Sequence, residues 1–373
     1  MSAASIHPVA VASHRPRGPH PAPARPDTPM QPDSGDPSDA AEPAVRLEEW
    51  LAARAFTTDP PGARLAAAAR DGLCRLPQPG SGRTLHRWRA LAAAAAHDLS
   101  FAKLYESHAD ALAILAELGA SEPAAGTWAV WAAEPPQARL RLVRRGTRCV
   151  LEGRKAWCSG AGAVDFGLVT AWDDDGAQRL AAVSMRGPGV RVTADGWHAV
   201  GMAATASVDV VFEQAPAEPV GTAGDYTARA GFWQGGAGIA ACWHGAAAAL
   251  GRYLRDALDA RDEPHAAAHL GALDVRLAAS AALLREAAAW IDARPEAGAM
   301  AWALRVRAAA DAAAGDALAH ALRALGAAPA CRDAWFARMV ADLPVFVRQC
   351  HAERDLAALA RAGRGDRGAP WRL

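Results

Sequence analysis

The feature that most limits how this chain can fold is a change of pattern at each end of one internal block. From residue 127 to about 220, short runs of β-formers are punctuated by Gly and Pro, whereas the sequence on both sides carries helical spacing. The runs are 127–133, 140–145, 147–157, 166–172, 180–185, 190–193 and 208–213. Asp173-Asp174-Asp175-Gly176 reads as a turn between two of them, because Asp and Gly tolerate the backbone angles of a tight reversal. Several short strands at near-regular spacing predict a compact β-domain, not alternating βαβ units. No G-x-G-x-x-G lies between a strand and a helix, so a dinucleotide-binding fold is not expected.

On the N-terminal side helical spacing runs from Val45 to about Gly119, with Leu47, Trp50 and Leu51, then residues 65–73, then a long stretch from about Leu85. Asp98 or Ser100 is placed to cap a helix in which Phe101, Leu104, His108, Leu112 and Leu115 recur at three- and four-residue steps, which puts His108 on the apolar face. After Gly221 the helical pattern returns and holds to about Ala362, broken near 262–264, 294–295 and 326–329. Leu273, Leu277, Leu284 and Ile291 form the stripe of a bundle helix. Ala dominates, and Lys occurs only at 103 and 155, a bias that looks like GC-rich codon usage. Because Ala is the best helix former, this bias weakens apolar periodicity as a signal. Thirteen Trp against three Tyr and seven Phe supply large rings that fill space left by small side chains or stack on a planar ligand.

Residues 1–43 are rich in Pro, Ser, Asp and Ala, cannot bury enough surface to offset ordering entropy, and are expected to form a disordered tail. That tail lacks the apolar core of a secretory signal, and Met30 is a second candidate start. The remainder divides into an N-terminal helical domain (44–125), a central β-domain (126–222), a C-terminal helical bundle (223–363) and a short tail (364–373), an α+β chain. With 40 basic and 40 acidic side chains and no basic run, nothing marks a nucleic-acid surface. The longest apolar stretches, such as 239–250, are interrupted by His244 and flanked by Arg252, which argues against a membrane span. Cys74, Cys149, Cys158, Cys242, Cys331 and Cys350 include no C-x-x-C pair, which fits a reducing cytoplasm. His265 and His269 stand one turn apart with no third ligand in a motif, so a polar helix face is preferred to a metal site. Gly235-Gly236-Ala237-Gly238 lacks the Lys and Ser/Thr of a phosphate loop and suits close helix packing. No G-x-S-x-G elbow of a hydrolase is present.

Three local matches in this helix–β–helix order resemble the acyl-CoA dehydrogenase superfamily of flavoproteins. Gly153-Arg154-Lys155-Ala156-Trp157-Cys158-Ser159 is similar to the family's G-x-K-x-W-[IC]-[ST] strand. Gly201-Met202 through Ser207 to Phe212-Glu213 resembles its G-[ML]-x-x-[ST]-x-S-x-x-[VL]-x-F-E segment, and Arg332-Asp333-Ala334 its R-D-A near the end of the bundle. The resemblance covers roughly residues 65–362 and implies an acyl-CoA dehydrogenase-like fold. It further implies FAD as cofactor, a fatty-acid-type acyl-CoA or similar thioester as substrate, an electron-transfer partner, and a homodimer or homotetramer. It places Trp157 beside the flavin ring and Ser159 near its N5, on the expectation that period-two alternation sends both side chains to one face. On local sequence alone, Trp157 is equally a core aromatic of a hairpin and Ser159 the start of a Ser-Gly turn.

The chain also departs from the family. The T-E-P-x-x-G-S-D loop is reduced to Ala133-Glu134-Pro135-Pro136-Gln137-Ala138, which loses side-chain contacts to flavin and substrate but keeps backbone amides, and R-x-x-F-G is reduced to Arg261-Asp262-Glu263-Pro264-His265 and G-G-x-G to Leu325-Gly326-Ala327-Ala328, which puts binding of the adenine half of FAD in doubt. Abstracting a proton from Cα of a thioester needs a carboxylate within hydrogen-bond reach. The family's Glu falls at Ala341, and its alternative placement around Ala228–Arg229 carries no carboxylate either. Asp342 would serve only if Pro344 let the helix slip by one residue; a capping or solvated Asp is the blander account. Flavin monooxygenases of the dibenzothiophene-desulfurising type lack that Glu, use His and Ser side chains beside the flavin, and would take FMN from a flavin reductase. The segment from Asp98 to His108 resembles theirs, so His108 is a candidate proton carrier or a satisfied core histidine. His351, in a charged stretch, is a further candidate. A third account keeps the fold as a non-catalytic scaffold.

Overall fold

A computed structural model of the chain describes residues 42–363 except 55–59, 121–124, 136 and 260–262. The expected tails and Met30 lie outside the described residues, save that the first helix opens at Pro43, inside the segment expected to be tail.

Four helices come first: α1 (Pro43–Ala52), α2 (Pro61–Arg70), α3 (Thr84–His97) and α4 (Leu99–Glu117). α1 and α2 each begin with Pro, whose missing N–H costs nothing at a helix start. Asp98 separates α3 from α4 and caps the latter, its carboxylate accepting the Phe101 N–H at 2.8 Å while pairing with Arg64 at 3.2 Å. Leu99, Phe101, Leu104, Tyr105, His108 and Ile114 are all buried, so α4 is a central helix and His108 lies inside, as its spacing predicts.

The β-domain comprises β1 (Trp128–Trp131), β2 (Leu140–Arg145), β3 (Arg148–Cys158), β4 (Phe166–Trp172), β5 (Gln178–Ser184), β6 (Val190–Val192) and β7 (Val208–Val220). The strand order β1-β4-β2-β3-β7-β5, with β5 also pairing β4, closes β4, β2, β3, β7 and β5 on themselves, and β6 adds to β7. The Asp173–Gly176 turn joins β4 to β5 as expected, with Asp173 accepting from the amides of Asp175 and Ala177. Inside, the Lys155 ammonium donates to the carbonyl and hydroxyl of Thr170, both at 2.8 Å, and lies 3.6 Å from Glu134, which itself accepts from the Thr170 hydroxyl. Burial lowers the Lys155 pKa to about 8. This network ties the segment after β1 to β3 and β4.

β7 runs well beyond its expected end at Glu213. Pro216 and Pro219 lack the N–H that a sheet ladder uses, but a bulge at Gln214, held at φ +56°, resets the register, and Ala215, Ala217 and Val220 then turn inward.

The bundle contains α5 (Asp225–Ala228), α6 (Gly231–Asp259), α7 (Pro264–Ala293), α8 (Met300–Leu325), α9 (Ala327–Arg332), α10 (Ala334–Phe346) and α11 (Glu353–Gly363). The glycines of α6 do what their sequence suggests: a Cβ at Gly245 would stand 2.3 Å from the Ala92 carbonyl oxygen of α3. α7 is the outlier. It is long and apolar enough by composition to cross a membrane, yet Ala268, Ala272, Val275, Ala279 and Ala282 form an exposed face while Leu273, Leu284 and Ile291 pack inward. α10 continues through Pro344 without interruption, so the register slip that would re-aim Asp342 does not occur.

Candidate functional site

The site begins at the end of β3. Between Lys155 and Cys158 the pairing with β7 is irregular, and Trp157 takes φ +58°, a left-handed conformation that costs a bulky residue about 1–2 kcal/mol. Its indole is 52% exposed, unusual for the largest side chain in a chain that buries Trp88 and Trp243 almost completely. The ring borders an open pocket of about 370 Å³ between Pro135, Gln137 and Ala138, Arg154 and Ala156 of β3, and Gly196. That lies within the roughly 300–1,000 Å³ range of small-ligand sites. Arg154 stands at the wall, paired to Asp209 at 2.8 Å and to Asp195 at 3.6 Å.

Strand alternation does not carry Trp157 and Ser159 to one face, contrary to expectation. The bulge turns Trp157 outward, β3 ends at Cys158, and Ser159 is buried just past the strand. Its hydroxyl meets Ser207 at 2.7 Å, Ser207 meets Thr205 at 2.8 Å, and the Thr205 hydroxyl donates to the Met202 carbonyl at 2.8 Å. Met202 is itself held at φ +57°, and its N–H donates to Asp342 of α10. Asp342 also accepts from the Ser100 hydroxyl of α4 at 3.4 Å, and its burial raises the carboxyl pKa. Ala341 presses against the same turn: a Cβ on Gly201 would lie 1.9 Å from the Ala341 carbonyl oxygen. Asp342 thus joins three parts of the fold and reaches Ser159 through a chain of hydroxyls.

His108 and His351 stand apart from that chain. The His108 Nδ1 accepts the Trp128 N–H at 2.9 Å, which fastens the start of β1 to α4. His351 is exposed at the approach to α11, with Asp355 accepting its N–H at 3.0 Å.

One polar region escaped the sequence reading. Lys103, Glu106 and Asp110 lie half-buried on one face of α4, Lys103 and Glu106 paired at 3.1 Å and Asp110 lying 3.9 Å from Arg87. Asp110 abuts Gly235 of α6, where a Cβ would come within 2.7 Å of its Oδ1. Burial raises the Asp110 pKa, with Glu106 adding to the effect. The signal was available as charges at i, i+3 and i+7 in an otherwise apolar helix. His269 also finds a neighbour that its own helix does not supply, the His320 Nδ1 of α8 at 2.9 Å, whereas no group of three or more metal-binding side chains occurs among the described residues.

The fold so assembled, helices then a closed β-domain then a helical bundle, is the acyl-CoA dehydrogenase-like fold. The chain is similar to the crystal structure of TdsC from Paenibacillus sp. A11-2 with FMN and indole, at a TM-score of 0.76, 18% identity, and coverage of 87% of this chain and 96% of that one. It is also similar to KijD3 in complex with FMN and a dTDP-linked amino-keto sugar, at TM-score 0.71, 22% identity and 90% and 95% coverage. A third likeness is to methanesulfinate monooxygenase MsuC from Pseudomonas fluorescens, at TM-score 0.68, 19% identity and 87% and 96% coverage. No family model and no curated protein sequence matches the chain.

Proposed function

We propose that this protein is a flavin-dependent monooxygenase, binding FMN delivered in reduced form by a separate reductase and oxygenating a small organic substrate. The observation that carries this reading over α,β-dehydrogenation of an acyl-CoA is the fate of the carboxylate. The expected position is Ala341, and Asp342 beside it is 3% exposed and bonded to the Met202 N–H. A carboxylate so buried and so engaged, by the Met202 N–H and the Ser100 hydroxyl, is a poor base for a thioester Cα.

The residues present fit a flavin. Trp157 offers a flat, half-exposed apolar face at a strained backbone position beside a pocket whose wall also carries Arg154. When bound, reduced flavin would supply the electrons that activate O2. The Lys155–Thr170–Glu134 network holds the segment leading into the pocket wall at Pro135, Gln137 and Ala138. FMN suits the chain better than FAD. Gly326, where a glycine-rich loop was reduced, is spent on ending α8 at φ +70°, and Arg261-Asp262 lie outside the described residues. TdsC and KijD3 were solved with FMN. Of the two histidines, His108 is the better proton carrier: Nδ1 is occupied as an acceptor, which places the exchangeable proton on Nε2.

The exposed Ala face of α7 is the surface we assign to a second copy of the chain, consistent with the expected dimer or tetramer. Visible absorbance after reconstitution tests the reading. Protein that takes up FMN and converts a test sulfide, sulfinate or indole only with supplied reduced flavin and O2 bears it out. Anaerobic bleaching by an acyl-CoA would restore the dehydrogenase, and protein that takes up no flavin would leave the scaffold account.

A further inference from the structure

One wall of the pocket beside Trp157 carries two opposite charges. Arg154 and Asp209 stand on the paired strands β3 and β7, and both line it. Asp209 is 9% exposed, and its backbone fixes its place: the carbonyl accepts from the Thr193 N–H at 3.0 Å and the Thr193 hydroxyl at 2.7 Å, and the N–H donates to the Asp195 carbonyl at 3.0 Å. Its Oδ2 accepts from Arg154 Nη1 at 2.8 Å. Its Oδ1 meets no donor among the described residues and lies over Gly196, where a Cβ would come within 2.6 Å of it. Glycine at that position, held at φ +84°, keeps the oxygen open to the pocket that Gly196 also lines. An almost buried carboxylate oxygen so placed calls for a donor from a ligand. Arg154 brings five N–H donors. Asp209 takes one and Asp195 is paired at 3.6 Å, so donors remain for the pocket.

The same pair sets the charge of the ligand. Arg154 opposes a bound cation and Asp209 a bound anion, while Asp195, its side chain 65% exposed, is screened by water and salt. A neutral group with an N–H beside a C=O satisfies both. Trp157 offers a flat face, and Pro135, Ala138 and Ala156 add apolar wall, so that group belongs on a planar ring. We infer that Asp209 and Arg154 are specificity-determining residues of this pocket and that its ligand is a planar heterocycle with a lactam or imide edge, its N–H donating to Asp209 Oδ1 and its C=O accepting from the Arg154 guanidinium. This rests on the flavin reading above only in that a flat ring lies against Trp157. The pyrimidine edge of a flavin has the required pattern, and so does a heteroaromatic lactam brought as substrate.

The test is equilibrium binding, followed by fluorescence, of two ligand pairs to the full-length protein. The members of each pair differ by a methyl group on the edge nitrogen: FMN with 3-methyl-FMN, and 2-quinolone with N-methyl-2-quinolone. Wild type is expected to prefer the N–H member of at least one pair by about tenfold, the worth of a hydrogen bond to a charged acceptor. In Asp209→Asn the amide oxygen turns to Arg154 and the NH2 group faces the pocket, so the preference should vanish although the side chain keeps its size. Arg154→Met removes donors to a carbonyl that both members share, and should weaken both about tenfold while leaving their ratio. A preference within the FMN pair puts the pyrimidine edge of flavin at Asp209, and one confined to the quinolones assigns the wall to substrate. FMN binding with no preference in either pair overturns the inference while the flavin reading stands. A preference that Asp209→Asn retains, as crowding by the methyl group would give, overturns it too, and unchanged binding in Arg154→Met overturns the part of Arg154. Wild type that binds no FMN but distinguishes the quinolones removes the flavin reading and leaves the inference. Wild type that binds none of the four removes both. Far-ultraviolet circular dichroism of each variant separates a lost fold from a lost preference.

Discussion

At the scale of single residues, two side chains hold conformations that make sense only through what they touch. Trp157 pays backbone strain to stand half in solvent, so replacing it should relax the chain while emptying the site of its flat partner. Trp157→Gly is expected to leave stability in urea melts within about 1 kcal/mol of wild type, because relief of the left-handed strain offsets the lost burial of the half-exposed ring, and to weaken FMN binding at least about tenfold. Asp342 is the reverse case, a buried group whose charge is costly. Its raised pKa means that its contribution is full below the ordinary carboxylate range and is lost as pH climbs through the raised value. Asp342→Asn removes that loss. The variant should gain on wild type in melting temperature from about pH 4 to pH 7. A difference that does not change with pH would mean that burial does not raise the Asp342 pKa above its value in the unfolded chain.

At the scale of elements, most boundaries were legible because Gly, Pro and Asp punctuate them: Asp98 before α4, Asp173–Gly176 between β4 and β5, Pro264 at the start of α7. What could not be read was the work of bulges. Gln214 lets β7 run past two prolines, and the irregularity at Trp157 defeats the alternation that would have paired it with Ser159. A bulge is decided by the partner strand, and the pattern of one strand does not contain it. The hydroxyl chain was hidden for a related reason. Ser159 and Ser207 lie 48 residues apart, and only the pairing of β3 with β7 brings them together. Lys155, recognised only as a motif position, proves to be a cation buried inside the β-domain. Its pKa of about 8 lies well below that of a free lysine, so folded protein should gain stability as pH rises from about 8 toward the ordinary lysine value near 10.4. Lys155→Met, followed by denaturant melts across that range, should show no such gain.

At the scale of the molecule, the Ala bias that obscured helical periodicity acquires a meaning on α7. Ala268, Ala272, Val275, Ala279 and Ala282 make a smooth exposed face on a helix of 30 residues, the surface on which another helix can approach closely. Ala272→Arg combined with Val275→Glu should reduce the solution mass to that of one chain in light scattering, without loss of helicity; an unchanged mass would place the interface elsewhere. The fold itself was legible from motif order, whereas the proposed preference for monooxygenase over dehydrogenase rests on the burial and partners of Asp342, which no spacing shows. The most direct measurement is the visible-absorbance time course of reduced FMN mixed with O2 in the presence of stoichiometric full-length protein. The monooxygenase account predicts a time course different from that of free reduced FMN for wild type and reverting to it for Trp157→Ala. A wild-type time course identical to that of free flavin would contradict it.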